Sequence, residues 1–261
     1  MQKTWQVSKI NCSACTFTID SNSTRCIVCG TPVTNLWKYV GQIDGDTTYE
    51  TPYTTTILDR ASKIIQNGID SISAHKMVFC LTRPPGHHSC ENKRAGFCHK
   101  NFAIEALDYI HSLHKSALIL DIDAHHGDGT EEEIKKRPYG TFISIHGFGK
   151  NIYPGTGNAS SERILNIPLP PTTNSEEWLN AFTTSAIPKI NQVAPDIIIL
   201  SCGLDGHRQD NMMPLQLTSK TYETFGNILS KLNIPVLSIL EGGYHIPVLG
   251  ECVENIIKSF I

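Results

Sequence analysis

The stretch Asp121-Ile-Asp-Ala-His-His-Gly-Asp-Gly-Thr130 constrains this chain most, because it directly follows Ala117-Leu-Ile-Leu120, a run that reads as a buried strand. Two histidines and three carboxylates fall within its first eight residues. A carboxylate carried into an apolar setting costs several kcal/mol unless it is paired or coordinated. Charges placed at the end of such a strand therefore need a partner, and this mixture of imidazole and carboxylate suits a metal ion.

The surrounding sequence alternates. Strand candidates are Met77–Leu81, Ala117–Ile122, Thr141–Ile145, Asp196–Ser201 and Pro235–Leu240, and helical patterns lie near 54–68, 100–115, 175–192 and 218–232. This β-α-β order predicts an α/β fold around a mostly parallel sheet. Pro168-Leu-Pro-Pro-Thr-Thr-Asn-Ser175 reads as a loop ending in a helix cap. Several strands run into polar or glycine-rich segments: Arg83-Pro-Pro-Gly-His-His88, Asp121–Thr130, Gly203-Leu-Asp-Gly-His207 and Glu241-Gly-Gly-Tyr244. In open parallel sheets, ligands bind in the crevice at the carboxyl ends of the strands, so these four segments are expected to meet.

Residues 1–33 differ, being short of aliphatic periodicity and rich in Cys, Ser, Thr and Asn, so residues 34–261 form the main domain. Within the first segment Cys12-Ser-Ala-Cys15 and Cys26-Ile-Val-Cys29 are spaced to close a tetrahedral four-thiolate zinc site of the structural kind. Cys80, Cys90, Cys98, Cys202 and Cys252 stand singly and are read as small buried hydrophobes.

Composition narrows the functional classes. The net charge is −3, with lysines and arginines scattered, which argues against nucleic acid as a partner. No apolar run approaches the ~20 residues that span a bilayer, and Met1-Gln-Lys-Thr-Trp5 lacks the apolar segment of a secretory signal. An intracellular protein is expected, in the cytosol rather than the nucleus because no basic localisation cluster is visible.

Asp123 and His125 stand two apart, so in extended chain both side chains point the same way. Asp205, beyond the Asp196–Ser201 run, is the natural third ligand. Two carboxylates and one imidazole suit zinc with an open position, which is equipment for hydrolysing an amide. The tandem His87-His88 offers a general base and acid, Asp121 and Asp128 remain to orient two imidazoles, and Tyr244 can donate to a developing oxyanion. Taken singly, a His-His pair is usually structural, Asp-x-Asp is often a cap, and Gly-Gly-Tyr is usually a turn. Their joint placement at strand ends favours the catalytic reading.

Arg83-Pro-Pro-Gly-His-His, Gly96-Phe-Cys, Asp121-x-Asp-x-His-His-Gly-Asp-Gly-Thr, Tyr153-Pro-Gly-Thr-Gly, Ser201-Cys-Gly-Leu-Asp and Leu240-Glu-Gly-Gly-Tyr together resemble the zinc-dependent histone deacetylases, in order and spacing, over residues 45–260. The last motif is more like the class II branch. The resemblance implies the three-layer arginase-deacetylase fold, with zinc on Asp123, His125 and Asp205. It implies His88 as the main acid and base with His87 beside it, Asp121 orienting His87, Asp128 orienting His88, and Tyr244 polarising the acyl carbonyl. Phe97 and Tyr153 would wall a tunnel for the lysine methylenes, the Gly96 carbonyl would meet the substrate amide, and Asp46 would hold the substrate backbone. A potassium ion would sit near Asp121, Asp123, His125 and the Ser144 hydroxyl.

Two substitutions separate the relatives. Ureohydrolases that resemble this family take a second metal through aspartates at positions held here by Gly127 and His207, which cannot supply them. A polyamine-selective branch carries an acidic gatekeeper where this chain has Met212, and an apolar gate favours acyl-lysine over a cationic polyamine. The chain also reaches its His-His pair sooner than the family usually does, which predicts a shortened rim and a wider, shallower entrance.

The N-terminal segment, with Trp5, Thr16-Phe17 and Cys29-Gly-Thr-Pro32, resembles the Ran-binding-protein-type zinc finger called NZF. That resemblance implies structural zinc on Cys12, Cys15, Cys26 and Cys29, with Thr16, Phe17 and Val28 able to press on a hydrophobic patch of ubiquitin. The reading is a deacylase of acyl-lysine in proteins, with a finger that could deliver it to ubiquitinated partners. Its rivals are an acetylpolyamine or other small-molecule amidohydrolase, and a ubiquitin-binding adaptor on a deacetylase-fold scaffold.

Overall fold

Runs of β-branched and aliphatic residues too apolar to face water on either side build one six-stranded parallel sheet. The computed structural model describes residues 48–212 and 214–261 in full. Before residue 48 it describes only the backbone of β1 (Lys9–Asn11), β2 (Thr18–Asp20) and β3 (Lys38–Tyr39). β1 pairs antiparallel with β2, and β3 with β4 (Tyr49–Glu50). Cys12, Cys15, Cys26, Cys29, Thr16, Phe17, Val28 and Asp46 lie outside the described residues.

The main sheet comprises β5 (Met77–Cys80), β6 (Ala117–Asp121), β7 (Thr141–Gly147), β8 (Ile164–Leu169), β9 (Ile197–Cys202) and β10 (Val236–Leu240), in the order β5-β10-β9-β6-β7-β8. Alternate residues feed two cores, as the two-residue period of a strand requires. Leu118, Leu120, Ile143, Ile198 and Leu200 face one side, where they pack with Trp178, Phe182, Phe225 and Ile256. Ile119, Phe142, Ile199, Leu237 and Ile239 face the other, with Ile65, Phe102, Leu107 and Ile134. Helices α1 (Thr54–Ser71), α2 (Phe102–Ser112) and α3 (Asp128–Lys135) supply the second core. The first is supplied by α4 (Ser175–Ala181), α5 (Ile187–Val193), α6 (Ser219–Ser230) and α7 (Ile246–Lys258). The result is the α/β fold around a parallel sheet that the alternation implied, with helices on both faces. No helix among the described residues is long and apolar enough to cross a membrane.

Three elements differ from the sequence reading. β8 lies inside a segment where Asn166 and Pro168 suggest a loop; proline is tolerated because β8 is an edge strand. α3 opens on Asp128-Gly-Thr, where glycine lowers helix propensity and the ligand-like residues mask the turn. α7 carries Pro247 and Gly250, yet its buried Val248, Cys252, Val253 and Ile256 keep a helical spacing. The expected helix over 175–192 is one continuous rod with a π-helical insert at Phe182–Ala186. Pro188 has no amide hydrogen, so the ladder cannot continue in register, and the Ile187 amide donates to the Phe182 carbonyl instead. The expected cap is present, with Asn174 accepting from the Glu177 amide at 3.1 Å and Glu177 returning a bond to the Asn174 amide at 2.9 Å.

Candidate metal centre and catalytic groups

Because the strands are parallel, the loops after β5, β6, β9 and β10 leave the same edge of the sheet, and the strand order sets β9 between β6 and β10. Asp123 and His125, beyond β6, therefore face Asp205, beyond β9. His125 Nδ1 lies 2.8 Å from Asp205 Oδ2 and 3.2 Å from Asp123 Oδ1. One ligand atom from each of the three lies within 4.8 Å of the others. The second oxygen of each aspartate is fixed by backbone: Gly242 N donates to Asp123 Oδ2 at 2.8 Å, and Ala124 N donates to Asp205 Oδ1 at 3.0 Å.

Glycine is required where the chain approaches this trio. A Cβ on Gly203 would lie 2.2 Å from Asp123 Oδ2, and one on Gly242 would lie 2.5 Å from Asp205 Oδ2. The aspartates are each 1% exposed. Burial pushes the Asp205 carboxyl up to about 6, while burial of His125 is outweighed by Asp205 and Asp123, which raise it to about 10. Two buried carboxylates thus demand positive charge at His125. A divalent cation in the same place meets that demand and leaves the imidazole neutral, so the residues fit zinc.

His87 and His88 follow β5, their ring centroids 4.0 Å apart. His87 Nδ1 is 3.0 Å from Asp121 Oδ2, and His88 Nδ1 is 2.7 Å from Asp128 Oδ1. The environments separate the pair. Burial lowers His87, but Asp123 and Asp121 more than offset it and hold the ring well above the ordinary histidine value. Burial and the neighbouring His87 bring His88 down to about 4. His88 is therefore neutral near pH 7, and its tautomer is set by Asp128. Gly96, with φ +55°, lets the chain pass against His88, since a Cβ there would sit 2.2 Å from His88 Cδ2.

Tyr244 meets one ring and one cation. The Phe97 ring centroid lies 5.8 Å from its own, edge to face, and the Arg83 guanidinium, bonded to the carbonyls of Glu241 and Gly243, stands over the Tyr244 ring at 5.4 Å from its centroid. Burial holds the phenol well above its ordinary pKa, so it stays a donor. The Tyr153 ring meets His88 at 5.0 Å and 87°. Ser144 pairs in register with Asp121, and its hydroxyl is 2.9 Å from His146 Nδ1. The Gly96 carbonyl accepts from Cys98 Sγ at 3.4 Å. Met212 is exposed, its amide donating to Asp210 Oδ1 at 2.9 Å.

Some supports escaped the sequence reading. Glu241, fully buried, accepts from the amides of Gly86 at 2.6 Å and His87 at 3.2 Å, and so fixes the turn that presents both histidines. Its signal was a charge at the end of an apolar strand, the same signal that marked Asp121. Lys93 bonds Asp128 Oδ2, and Thr48 Oγ1 accepts from the Phe97 amide at 2.8 Å. Neither has a signal in sequence, because each is recruited across distant loops.

The histone deacetylase domain model matches residues 12–260, a span that includes the four N-terminal cysteines. An uncharacterized protein of Synechocystis is 34% identical over 85% of this chain and 74% of its own length. Acetylpolyamine amidohydrolase of Mycoplana ramosa is 34% identical over 74% of this chain, which spans 59% of that protein. Histone deacetylase 14, chloroplastic, of Arabidopsis thaliana is 34% identical over 70% of this chain, which spans 46% of that protein. Among solved structures, the HDA15 HD domain superposes with a TM-score of 0.80 at 29% identity, covering 87% of this chain and 68% of the other. Acetylpolyamine aminohydrolase from Burkholderia pseudomallei gives 0.72 at 27% identity, covering 77% and 61%.

Proposed function

Because this chain belongs to the histone deacetylase domain family, we propose that it is a zinc-dependent amidohydrolase that removes acyl groups from lysine side chains of proteins. The observation that carries the reading is the convergence of Asp123, His125 and Asp205 within 4.8 Å, beside two buried, carboxylate-bonded histidines. Asp123, His125 and Asp205 would hold the zinc, which would supply Lewis-acid polarisation for the amide carbonyl and for water. His88, neutral and oriented by Asp128, takes the proton of the attacking water and delivers it to the leaving amine. His87, bonded to Asp121 at 3.0 Å, is held beside His88 as the second imidazole of the site. Tyr244 donates its phenolic hydrogen to the carbonyl oxygen as negative charge develops there. Phe97 and Tyr153 form apolar walls for the lysine methylenes, the Gly96 carbonyl meets the substrate amide, and Asp46 holds the substrate backbone. A potassium ion near Asp121, Asp123, His125 and Ser144 belongs to the same proposal.

A relative named acetylpolyamine amidohydrolase and one named histone deacetylase are each 34% identical to this chain over the aligned part. Met212 favours the protein substrate, because a thioether at the entrance offers a polyammonium chain no counter-charge. Turnover of an acetyl-lysine peptide against acetylspermidine at equal concentration tests this. Preference for the peptide is expected, and preference for acetylspermidine overturns the assignment.

The four N-terminal cysteines are proposed to hold a structural zinc in an NZF-like finger, with Thr16, Phe17 and Val28 meeting ubiquitin. The support is the Cys-x-x-Cys spacing and an antiparallel β1-β2 pair on either side of residues 12–17. Cys12→Ser should remove one zinc per chain and abolish ubiquitin binding in titration. Unchanged zinc content rejects the finger.

A further inference from the structure

The loop that carries Tyr244 has no regular structure between the end of β10 and the start of α7, so something must fix it. Gly242 N is held by Asp123, and the Glu241 and Gly243 carbonyls are held by Arg83. The Tyr244 amide itself donates to Asp210 Oδ2 at 2.6 Å, and the His245 amide donates to the same oxygen at 3.0 Å. Asp210 is 4% exposed, and its other oxygen, Oδ1, accepts from the Met212 amide at 2.9 Å. One buried carboxylate therefore ties the phenol-bearing loop to Met212, the residue proposed as the gate.

We propose that Asp210 is a positioning residue that sets Tyr244 against the acyl carbonyl and, through the same carboxylate, fixes the place of Met212. The inference rests on the reading of Tyr244 as the group that polarises that carbonyl. Asp210 accepts from the amide of His245, the N-cap of α7, so its negative charge also sits at the amino end of that helix, where it is favoured. An asparagine retains the shape but presents one acceptor oxygen where the carboxylate has two, and turns an N–H toward an amide donor. The loop amides then lose a charged acceptor, and an N–H faces either them or the Met212 amide, while the zinc ligands keep their partners.

The test is a double-mutant cycle on the full chain loaded with zinc, comparing wild type, Asp210→Asn, Tyr244→Phe and the double variant on an acetyl-lysine peptide. Asp210→Asn should lower kcat about tenfold or more with KM changed less than about threefold and zinc content unchanged. In the Tyr244→Phe background the same change should cost less than about threefold, because the hydroxyl it positions is gone. Equal losses in both backgrounds, or no loss in either, overturn the proposal. If Tyr244→Phe alone retains the wild-type rate, the reading of Tyr244 fails separately. Should Asp210→Asn not fold, Asp210→Ala takes its place in the cycle, with zinc content and circular dichroism as checks. If neither variant folds while Tyr244→Phe does, Asp210 is a folding residue and the proposal is overturned.

Discussion

His88 Nδ1 and Asp128 Oδ1 stand 2.7 Å apart, and the other oxygen of Asp128 carries the Lys93 ammonium. The carboxylate is thus fixed from two sides before it orients the imidazole, and Asp128 is kept ionised, well below the ordinary carboxylate range, because His88 and Lys93 overcome the penalty of its burial. The relationship gives the acid-base residue a single orientation and tautomer.

Replacing Asp128 by Asn keeps the volume and loses the charge and one acceptor. Turnover of an acetyl-lysine peptide should fall about 10–100-fold with zinc content unchanged, the range seen when a group that orients a site residue is removed. Steady-state kinetics with metal analysis checks this, and an unaffected kcat would remove Asp128 from the mechanism.

Gly242→Ala places a methyl group 2.5 Å from Asp205 Oδ2 and 2.6 Å from Asp123 Oδ2, so at least one ligand must move. The expected outcome is weaker zinc binding, by about tenfold or more in competition with a chelator. Unaltered affinity would show that the aspartates are not held as described.

Glu133 offers a pH test away from the metal. Its carboxyl is buried, which alone would raise its pKa, but the Glu91 amide and the Lys136 and Arg137 cations bring it down to about 2 from an ordinary 4.5. A depressed folded value means that the carboxylate stabilises the fold above about pH 4.5 and loses that contribution as pH falls toward about 2. Glu133→Gln should therefore lower Tm at pH 7 by several degrees, with the gap to wild type narrowing between pH 4.5 and 2. A gap independent of pH would contradict the ion pairing.

Much of the site was legible because it is written as charge at the end of apolar strands. Asp121 interrupts a buried run, and such an interruption has few meanings; Glu241 carries the same mark at the end of β10, although its partners, the Gly86 and His87 amides, are not visible in sequence. The fold class followed from the same alternation. What was hidden depends on geometry that sequence spacing does not encode. β8 is masked by Pro168, permitted only because the strand is at an edge. Lys93, Thr48 and Asp210 act across loops far apart in sequence, at 35, 49 and 34 residues from their partners Asp128, Phe97 and Tyr244. Their residue types are ordinary on any surface, and only the folded chain makes them particular.

The proposed reaction requires one zinc held by Asp123, His125 and Asp205. Metal analysis and acetyl-lysine peptide turnover, measured on the same preparations of wild type and Asp205→Ala, test it most directly. The prediction is one fewer zinc per chain in Asp205→Ala, with turnover lost and the fold retained by circular dichroism. Equal zinc content and equal turnover in the two proteins would contradict it.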